Sequence, residues 1–169
     1  MVKVGVDLEP IARFDFVRTR GGAAFYRRVF TPKERAALGR DPVTTALYFT
    51  VKEAVAKVLG TGLALDSRDG VAGSEIEVST VDGQDAPTVQ LRGRAAEVAA
   101  ELKLSSVKLL CTRGRTTICS LAVAAQDPRA LTRVAAAARP ASAEIRRCLL
   151  ACEAAAAGRD GVDDELEGR

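Results

Sequence analysis

Hydrophobic and polar residues alternate at the start of the chain and then change to helical spacing. Residues 2–8 carry β-branched or apolar side chains at every second position, which predicts a buried β-strand. Apolar residues then recur every third or fourth position, which predicts a helix that begins at Pro10 and ends at Gly21. A second short helical segment is expected over 23–29. The chain therefore begins with one strand and two short helices.

Capping residues predict two further helices. Thr31 precedes a proline and is followed three residues later by Glu34, the arrangement of a capping box. Asp41 also precedes a proline, and the apolar pattern after it continues without interruption to Leu59. Gly60 is suited to end this helix because it adopts a left-handed conformation easily. We expect a long helix between Asp41 and Gly60.

The second half of the chain changes to short alternating segments. We expect strands over 75–80 and 88–91, an alanine-rich helix over 93–104, and two closing strands over 106–111 and 116–124. These elements predict the α+β class, with an antiparallel sheet packed on a long central helix and a C-terminal helical extension.

The pattern divides the chain into three parts. Residues 1–126 form the main domain, and Asp127 begins a boundary that is marked by a proline. Residues 127–157 are rich in alanine and are interrupted by Pro140, which predicts a helical extension of two short helices. Residues 158–169 are acidic and are expected to be a disordered tail.

Composition narrows the possible chemistry. The 169 residues include no histidine, which excludes histidine-based nucleophilic triads and imidazole metal sites. An enzyme of this composition must use carboxylates, lysine, water or a bound metal. The four cysteines lack a CxxC spacing and are expected to remain thiols. No apolar run reaches the ~20 residues of a membrane helix, and no signal peptide is recognisable, so we expect a cytoplasmic protein without a membrane partner.

Positive charge is concentrated in the first third. Residues 1–60 contain 11 lysines and arginines against 6 acidic residues, although the whole chain has a net charge of only +3. Such a surface suits an acidic or phosphate-bearing partner, and a simply solvated basic surface is the alternative. The chain has no nucleic-acid motif and no stacking aromatics on a basic strand, so nucleic acid is not expected.

Carboxylates and a lysine are placed where they can meet. Asp7 and Glu9 lie at the end of the first strand, and Phe49, Glu53 and Lys57 share one face of the long helix. Glu53 and Lys57 could instead form an exposed ion pair, and Asp7 could cap the following helix. Two or three carboxylates can also hold Mg²⁺ beside a substrate phosphate, which a lysine would neutralise.

The spacing of these residues is similar to a known signature. Gly5-Val6-Asp7, 41 intervening residues and the segment 49–57, with its Lys52-Glu53-Ala54 and Lys57, resemble the 4'-phosphopantetheinyl transferases. The segments 30–34 and 58–62 resemble the small, holo-acyl-carrier-protein synthase branch in particular. The resemblance covers residues 2 to about 126.

The resemblance implies a reaction and a site. This family transfers the phosphopantetheine arm of coenzyme A to a serine of a carrier protein in fatty-acid, polyketide or peptide synthesis, and it releases adenosine 3',5'-bisphosphate. The implied roles are metal binding by Asp7, Glu53 and Glu9; catalysis by Asp7, Glu53 and Lys57; and coenzyme A binding by Lys52, Lys57, Gly60, Thr61 and Gly62. Mg²⁺ is the implied cofactor, and coenzyme A is the implied co-substrate.

The resemblance also implies partners, and it has one departure. Members of this branch are homotrimers and bind acidic acyl or peptidyl carrier proteins, with Arg13 and Arg28 at positions of the docking surface. Cys111 stands where the family has a histidine that helps to form the coenzyme A pocket. This departure leaves a second hypothesis: a catalytically weakened homologue that acts as a carrier-protein-binding or scaffolding module.

Overall fold

A computed structural model describes most of the chain. It covers residues 1–19, 22–39, 41–64, 70–80 and 86–160, and for residues 16–19 and 156–160 only the backbone is described. The order of elements in these ranges is β1 (Val2–Pro10), α1 (Ala12–Thr19), α2 (Ala23–Val29), α3 (Pro32–Leu38), α4 (Pro42–Leu59), a 3-10 turn (Gly73–Glu75), β2 (Ile76–Ser79), β3 (Thr88–Leu91), α5 (Gly93–Glu101), β4 (Ser106–Arg113), β5 (Thr117–Ala125) and α6 (Pro128–Asp160). The predicted α+β class is confirmed.

The capping chemistry places the central helix as predicted. The Asp41 carboxylate accepts hydrogen bonds from the backbone N–H groups of Val43 and Thr44, at 3.1 and 3.0 Å. At the other end, Gly60 adopts a left-handed conformation with φ of 83°, and its N–H donates to the last turn. These local interactions fix both ends of α4.

The strands form two separate antiparallel sheets. The first has the order β1-β5-β4, and the second pairs β2 with β3. In the first sheet the register places Asp7 opposite Ser120, and Ser120 opposite Cys111. Helix α4 packs on one face of this sheet, against β1 and β5. The predicted antiparallel sheet on a long helix is therefore confirmed. Strands β2 and β3 form a second, separate sheet.

Strand β1 approaches α4 closely because residue 5 is glycine. A Cβ atom at Gly5 would lie far inside contact distance of the Ala54 carbonyl oxygen and 3.0 Å from the Val58 amide nitrogen. Only a residue without a side chain permits this approach. The polar residues of β1 consequently share the face that is turned towards α4.

The apolar residues of β1 lie on the opposite face and are exposed. The exposed fractions of Val2, Val4, Val6 and Leu8 are 41%, 55%, 47% and 49%. The prediction that β1 is a buried strand is therefore wrong for its apolar side chains. The alternation was interpreted correctly as a strand, but α4 packs on the Gly5 face.

Helix α6 is continuous, and the prediction of two short helices is wrong. It extends from Pro128 to Asp160 with Pro140 inside it. A proline removes one backbone hydrogen bond, but the surrounding alanines favour helix on both sides. The predicted acidic tail lies outside the described residues from position 161 onwards, and the boundary at 126 stays a prediction.

Helix α6 packs on the face of the sheet that α4 does not cover. Its Leu131 forms an apolar cluster with Val123 and Ala125 of β5. Further along the helix, the Ser142 hydroxyl lies 2.6 Å from the Thr112 hydroxyl of β4. Both an apolar and a polar contact therefore connect this helix to the sheet.

A carboxylate near the end of α6 holds the β4–β5 turn. Glu153 accepts hydrogen bonds from the backbone N–H groups of Arg115 and Thr116, at 2.7 and 3.0 Å, and from the Thr116 hydroxyl. Burial acts to raise the pKa of Glu153, but these hydrogen bonds outweigh it and lower the pKa to about 2. The carboxylate therefore remains charged at neutral pH and keeps its hold on the turn.

Candidate active site

Asp7 of β1 and Lys57 of α4 meet beside the sheet. The Lys57 ammonium donates to Asp7 Oδ1 at 2.6 Å and to the Val6 carbonyl oxygen at 2.9 Å. The exposed fractions of the two side chains are 46% for Lys57 and 12% for Asp7. An ammonium group has three N–H donors, so one remains that the described residues do not engage. The lysine is thus fixed by the protein and still open to a ligand.

Glu53 lies one helical turn before Lys57 and is half-buried. Burial raises the pKa of Glu53, and the nearby Asp7 carboxylate raises it further, while Lys57 acts in the opposite direction. Lys57 forms its ion pair with Asp7. The alternative interpretation of the sequence had paired Lys57 with Glu53 instead. Asp7, Glu53 and Lys57 therefore share one electrostatic environment.

Glu9 and Arg13 border this group. Arg13 forms an ion pair with Glu9, four residues before it. The Arg13 guanidinium also lies 5.2 Å from the centre of the Phe49 ring, and this ring is buried beneath it. Both charges influence the pKa of Glu53. Arg13, predicted as a docking residue, is thus adjacent to the acidic group, whereas Arg28 is exposed near the end of α2.

The acidic group has an unsatisfied atom that fits a cation. Asp7 Oδ2 is buried and has no hydrogen-bond partner in the described part of the chain. A buried carboxylate oxygen without a partner is unfavourable, and the nearby Glu53 carboxylate, when ionised, adds negative charge beside it. Within the described ranges, no three acidic, cysteine or histidine side chains are grouped as metal ligands. Asp7 and Glu53 are the two carboxylates that could hold a hard cation here, and Glu9 is engaged by Arg13.

The turn after α4 begins at Gly60, three residues beyond Lys57. Gly60 and Gly62 have φ of 83° and 68°, and the N–H groups of residues 60–62 point back to the Ala56 carbonyl oxygen. The Thr61 hydroxyl is buried and has no partner among the described residues. The Lys3 ammonium approaches Gly60. Lys3 was not predicted, although it shares the strand face of Gly5 and Asp7.

Lys52 lies apart from these residues, and the structure argues against its predicted contact with coenzyme A. Its side chain is completely buried. The ammonium donates to Glu34 Oε2 at 2.9 Å, to the Gly73 carbonyl oxygen at 2.7 Å and to the Ile76 carbonyl oxygen. Burial lowers the pKa of Lys52, and the hydrogen bond with Glu34 counteracts this effect. With three acceptors for three donors, Lys52 joins α4 to α3 and β2.

Cys111 is an uncharged thiol within the sheet. Burial raises the pKa of Cys111 to about 11. The Ser120 hydroxyl donates to Cys111 Sγ at 3.5 Å, and it lies 2.7 Å from the Thr50 hydroxyl of α4. This hydroxyl pair beneath the sheet was not predicted, because it joins residues that are 70 positions apart. All four cysteines are free, and Cys148 and Cys152 are exposed.

Comparison with known proteins decides the family. Residues 3–122 match the model of the 4'-phosphopantetheinyl transferase superfamily. The chain belongs to this superfamily. Two relatives named holo-[acyl-carrier-protein] synthase, from Yersinia enterocolitica and Solidesulfovibrio magneticus, are 34% and 36% identical to this transferase over 126 and 121 residues. These alignments cover 73% and 71% of this chain, and 96% and 94% of the relatives.

Solved structures agree with this assignment. The holo-[acyl-carrier-protein] synthase of Neisseria meningitidis has a TM-score of 0.63 at 27% identity, covering 74% of this chain and 99% of its own. The complex of the synthase of Chronobacterium ammoniagenes with coenzyme A has a TM-score of 0.58 at 26% identity, covering 75% and 98%. The predicted family and the predicted enzyme class are confirmed. None of the helices within the described ranges has the length and apolar character needed to cross a membrane.

Proposed function

We propose that this phosphopantetheinyl transferase moves the 4'-phosphopantetheine arm of coenzyme A to a serine of an apo acyl or peptidyl carrier protein. The other product is adenosine 3',5'-bisphosphate. The observation that carries the proposal is the convergence of Asp7, Glu53 and Lys57, with a buried Asp7 oxygen that has no partner among the described residues. The relatives named holo-[acyl-carrier-protein] synthase and the complex with coenzyme A support the choice of substrates.

Each of the three side chains has a role that fits its environment. Glu53 accepts the proton of the serine hydroxyl, and its raised pKa makes it a better base near neutral pH than an ordinary carboxylate. Lys57 directs its remaining N–H towards the diphosphate and stabilises negative charge on the leaving group. Asp7 holds Lys57 with one oxygen and contributes the other oxygen to metal binding.

We include Mg²⁺, held by Asp7 and Glu53, in the proposal. When bound, it supplies positive charge that neutralises the diphosphate and orients it. We extend the proposed site to the Gly60–Gly62 turn, which begins three residues beyond Lys57, because the absence of side chains at the two glycines would leave room for the diphosphate. Lys52 is not included, because its ammonium is completely buried.

A basic surface would guide the carrier protein to this site. Arg13 lies next to Glu53 and is 44% exposed, and Arg28 is exposed on α2. Positive charge of this kind mainly raises the rate of encounter with an acidic partner. A cytoplasmic location is part of the proposal, and the free cysteines are consistent with it.

The test of the reaction combines the protein with coenzyme A, Mg²⁺ and an apo-carrier protein, and the mass of the intact carrier reports the added arm. We expect modification by the wild type and its loss in Glu53→Ala. Glu97→Ala, which changes an exposed glutamate on α5, is the matched control and should retain activity. Carrier binding without modification by the wild type would refute the transferase proposal and favour the scaffolding module.

We also propose that the protein assembles as a homotrimer through β1. The outer face of this strand exposes four aliphatic side chains beside the surface that α6 covers. Burial of such side chains contributes about 1.5–3 kcal/mol each when complete. The variant Val4→Asp/Val6→Asp should elute as a monomer in size-exclusion chromatography with light scattering. The variant Val4→Ile/Val6→Ile should elute as the wild type does, and a monomeric wild type would contradict the proposal.

A further inference from the structure

Two buried hydroxyl groups join the central helix to the middle strand of the first sheet. The Thr50 hydroxyl of α4 lies 2.7 Å from the Ser120 hydroxyl of β5. Both residues are completely buried. A buried polar group is unfavourable unless it forms a hydrogen bond, so this contact favours one placement of α4 on the sheet over others.

Each hydroxyl of the pair also has a second partner. The Leu47 carbonyl oxygen lies 3.0 Å from the Thr50 hydroxyl, and Cys111 Sγ lies 3.5 Å from the Ser120 hydroxyl. The row of four groups therefore has an acceptor at each end, and the two hydroxyls bond to each other whichever of them donates. If one hydroxyl is removed, the other keeps a partner, so we expect single substitutions to fold.

The pair lies directly beside Asp7. In the register of the first sheet, Asp7 of β1 is opposite Ser120 of β5. Side chains that are opposite each other in an antiparallel sheet share a face, with Cβ atoms about 4.5–5.5 Å apart. Asp7 is turned towards α4, since its Oδ1 accepts a hydrogen bond from Lys57 at 2.6 Å. Ser120 therefore faces α4 next to Asp7.

On the helix, Thr50 shares a face with the other residues of the site. Thr50, Glu53 and Lys57 are at positions i, i+3 and i+7, which places them along one side of α4. Thr50 bonds to β5 at one end of this row, and Lys57 bonds to Asp7 at the other end, about 10 Å further along the helix axis. Glu53 lies between the two attachment points.

The two attachments connect α4 to different strands. In the order β1-β5-β4, β5 is the middle strand and β1 is at the edge. The Lys57 ammonium at the edge strand is 46% exposed, and in the proposed reaction it also contacts the diphosphate. The contact between Thr50 and Ser120 is buried and takes no part in substrate binding. It can therefore hold α4 on the sheet throughout the reaction.

We propose that Thr50 and Ser120 are positioning residues, which hold the Glu53 carboxylate at the separation from Asp7 that metal binding and proton transfer require. The pair does not touch the substrates in this role and acts through α4 and β5. Misplacement of a reacting group by about 1 Å lowers the rate by about 100-fold, so partial loosening is already measurable. The inference rests on the proposed roles of Asp7 and Glu53.

Kinetics of carrier modification separate positioning from stability. Thr50→Val and Ser120→Ala each remove one hydroxyl, and we expect kcat to fall about tenfold while KM for coenzyme A stays within about twofold. Thr50→Ser keeps the hydroxyl and should retain the wild-type kcat. The double variant Thr50→Val/Ser120→Ala should lose no more activity than either single variant, because each of them already breaks the same hydrogen bond.

Thr45→Val is the matched control on the same helix. Thr45 is also buried, and its hydroxyl donates to the Asp41 carbonyl oxygen at 2.9 Å, at the beginning of α4. The Tyr26 hydroxyl of α2 lies 3.4 Å from the Thr45 hydroxyl. This variant removes the same chemical group from a position whose partners are α2 and the end of its own helix. It should lower the midpoint of denaturant unfolding and leave kcat unchanged.

Binding of Mn²⁺ without substrates tests the positioning independently of catalysis. Mn²⁺ prefers the same oxygen ligands as Mg²⁺, and electron paramagnetic resonance distinguishes the free ion from the bound one. Asp7 and Glu53 are the proposed ligands of the ion, so its affinity depends on their separation. Thr50→Val should weaken the binding of Mn²⁺ about tenfold, and Thr45→Val should not change it.

The outcomes distinguish this inference from the transferase proposal. If Thr50→Val weakens Mn²⁺ binding but the wild type does not modify the carrier, the positioning role stands and the transferase proposal fails. If Thr50→Val and Ser120→Ala lower the unfolding midpoint but keep the wild-type kcat and Mn²⁺ affinity, the pair is only structural and the inference is overturned. A wild type that neither binds Mn²⁺ nor modifies the carrier would overturn both.

Discussion

Substitution of Gly5 by alanine tests how the site is held together. The added methyl group would overlap the Ala54 carbonyl oxygen and lie 3.0 Å from the Val58 amide nitrogen. Both neighbours are backbone atoms of α4, so neither can rotate away. To restore normal contact distances, β1 must move away from the helix by about 1 Å. Asp7, two residues further along β1, would move with the strand.

The expected magnitudes follow from this displacement. Overpacking of a close backbone contact costs about 1–3 kcal/mol, and the rigid neighbours of Gly5 place this variant at the upper end. Misplacement of a catalytic group by about 1 Å lowers activity by about 100-fold. The midpoint of denaturant unfolding measures the loss of stability. The carrier-modification assay on folded protein measures the loss of activity.

Gly39→Ala is the control for a loss of stability without a change at the site. Gly39 has φ of 53° and open space around it, so alanine strains the backbone there without a clash. We expect destabilisation by about 1–3 kcal/mol with unchanged activity of the folded protein. If Gly5→Ala unfolds at the wild-type midpoint and modifies the carrier at the wild-type rate, the close approach of β1 to α4 does not hold the site.

Two further predictions concern buried charge. The pKa of Glu53 is raised above 4.5, so its contribution to stability is present below pH 4.5 and is lost as the pH rises through the folded-state pKa. Without divalent cations, Glu53→Gln should therefore become more stable relative to the wild type as the pH rises towards neutral in unfolding experiments, and the opposite trend would contradict the raised pKa. Lys52→Met should lower the free energy of unfolding by about 3–5 kcal/mol, because it leaves Glu34 buried without its partner. A loss below about 1 kcal/mol, or a folded variant with weakened coenzyme A binding, would contradict a purely structural Lys52.

Local chemistry made much of the fold predictable. The ends of α4 were predicted correctly because Asp41 and Gly60 act on the backbone within a few residues. The prediction that the helix is interrupted at Pro140 failed because it considered only the local effect of proline, which opposes a helix. Alanines on both sides and packing against β4 and β5 keep α6 continuous. Sequence rules of short range do not include such packing.

The convergence of Asp7, Glu53 and Lys57 was predictable from the sequence, but the arrangement around these residues was not. Alternation along β1 separates two faces, yet it does not indicate which face α4 covers, and the choice depends on the missing side chain of Gly5. Lys52 and Lys57 lie on the same helix within one motif, and only their surroundings separate a buried structural lysine from an exposed one. Glu153 bonds to a turn 37 and 38 residues earlier, a contact that no local pattern contains.

Truncation of this chain to the length of its relatives would change its solubility as well as its size. Without α6, Val123 and Ala125 would face water beside the already exposed valines of β1. The apolar side chains of β1 and β5 would then form one continuous exposed apolar surface on the sheet. Such a surface favours aggregation during expression. The turn at Thr116 would also lose the carboxylate that anchors it. For this transferase, the C-terminal helix therefore belongs in any version that is produced for functional work.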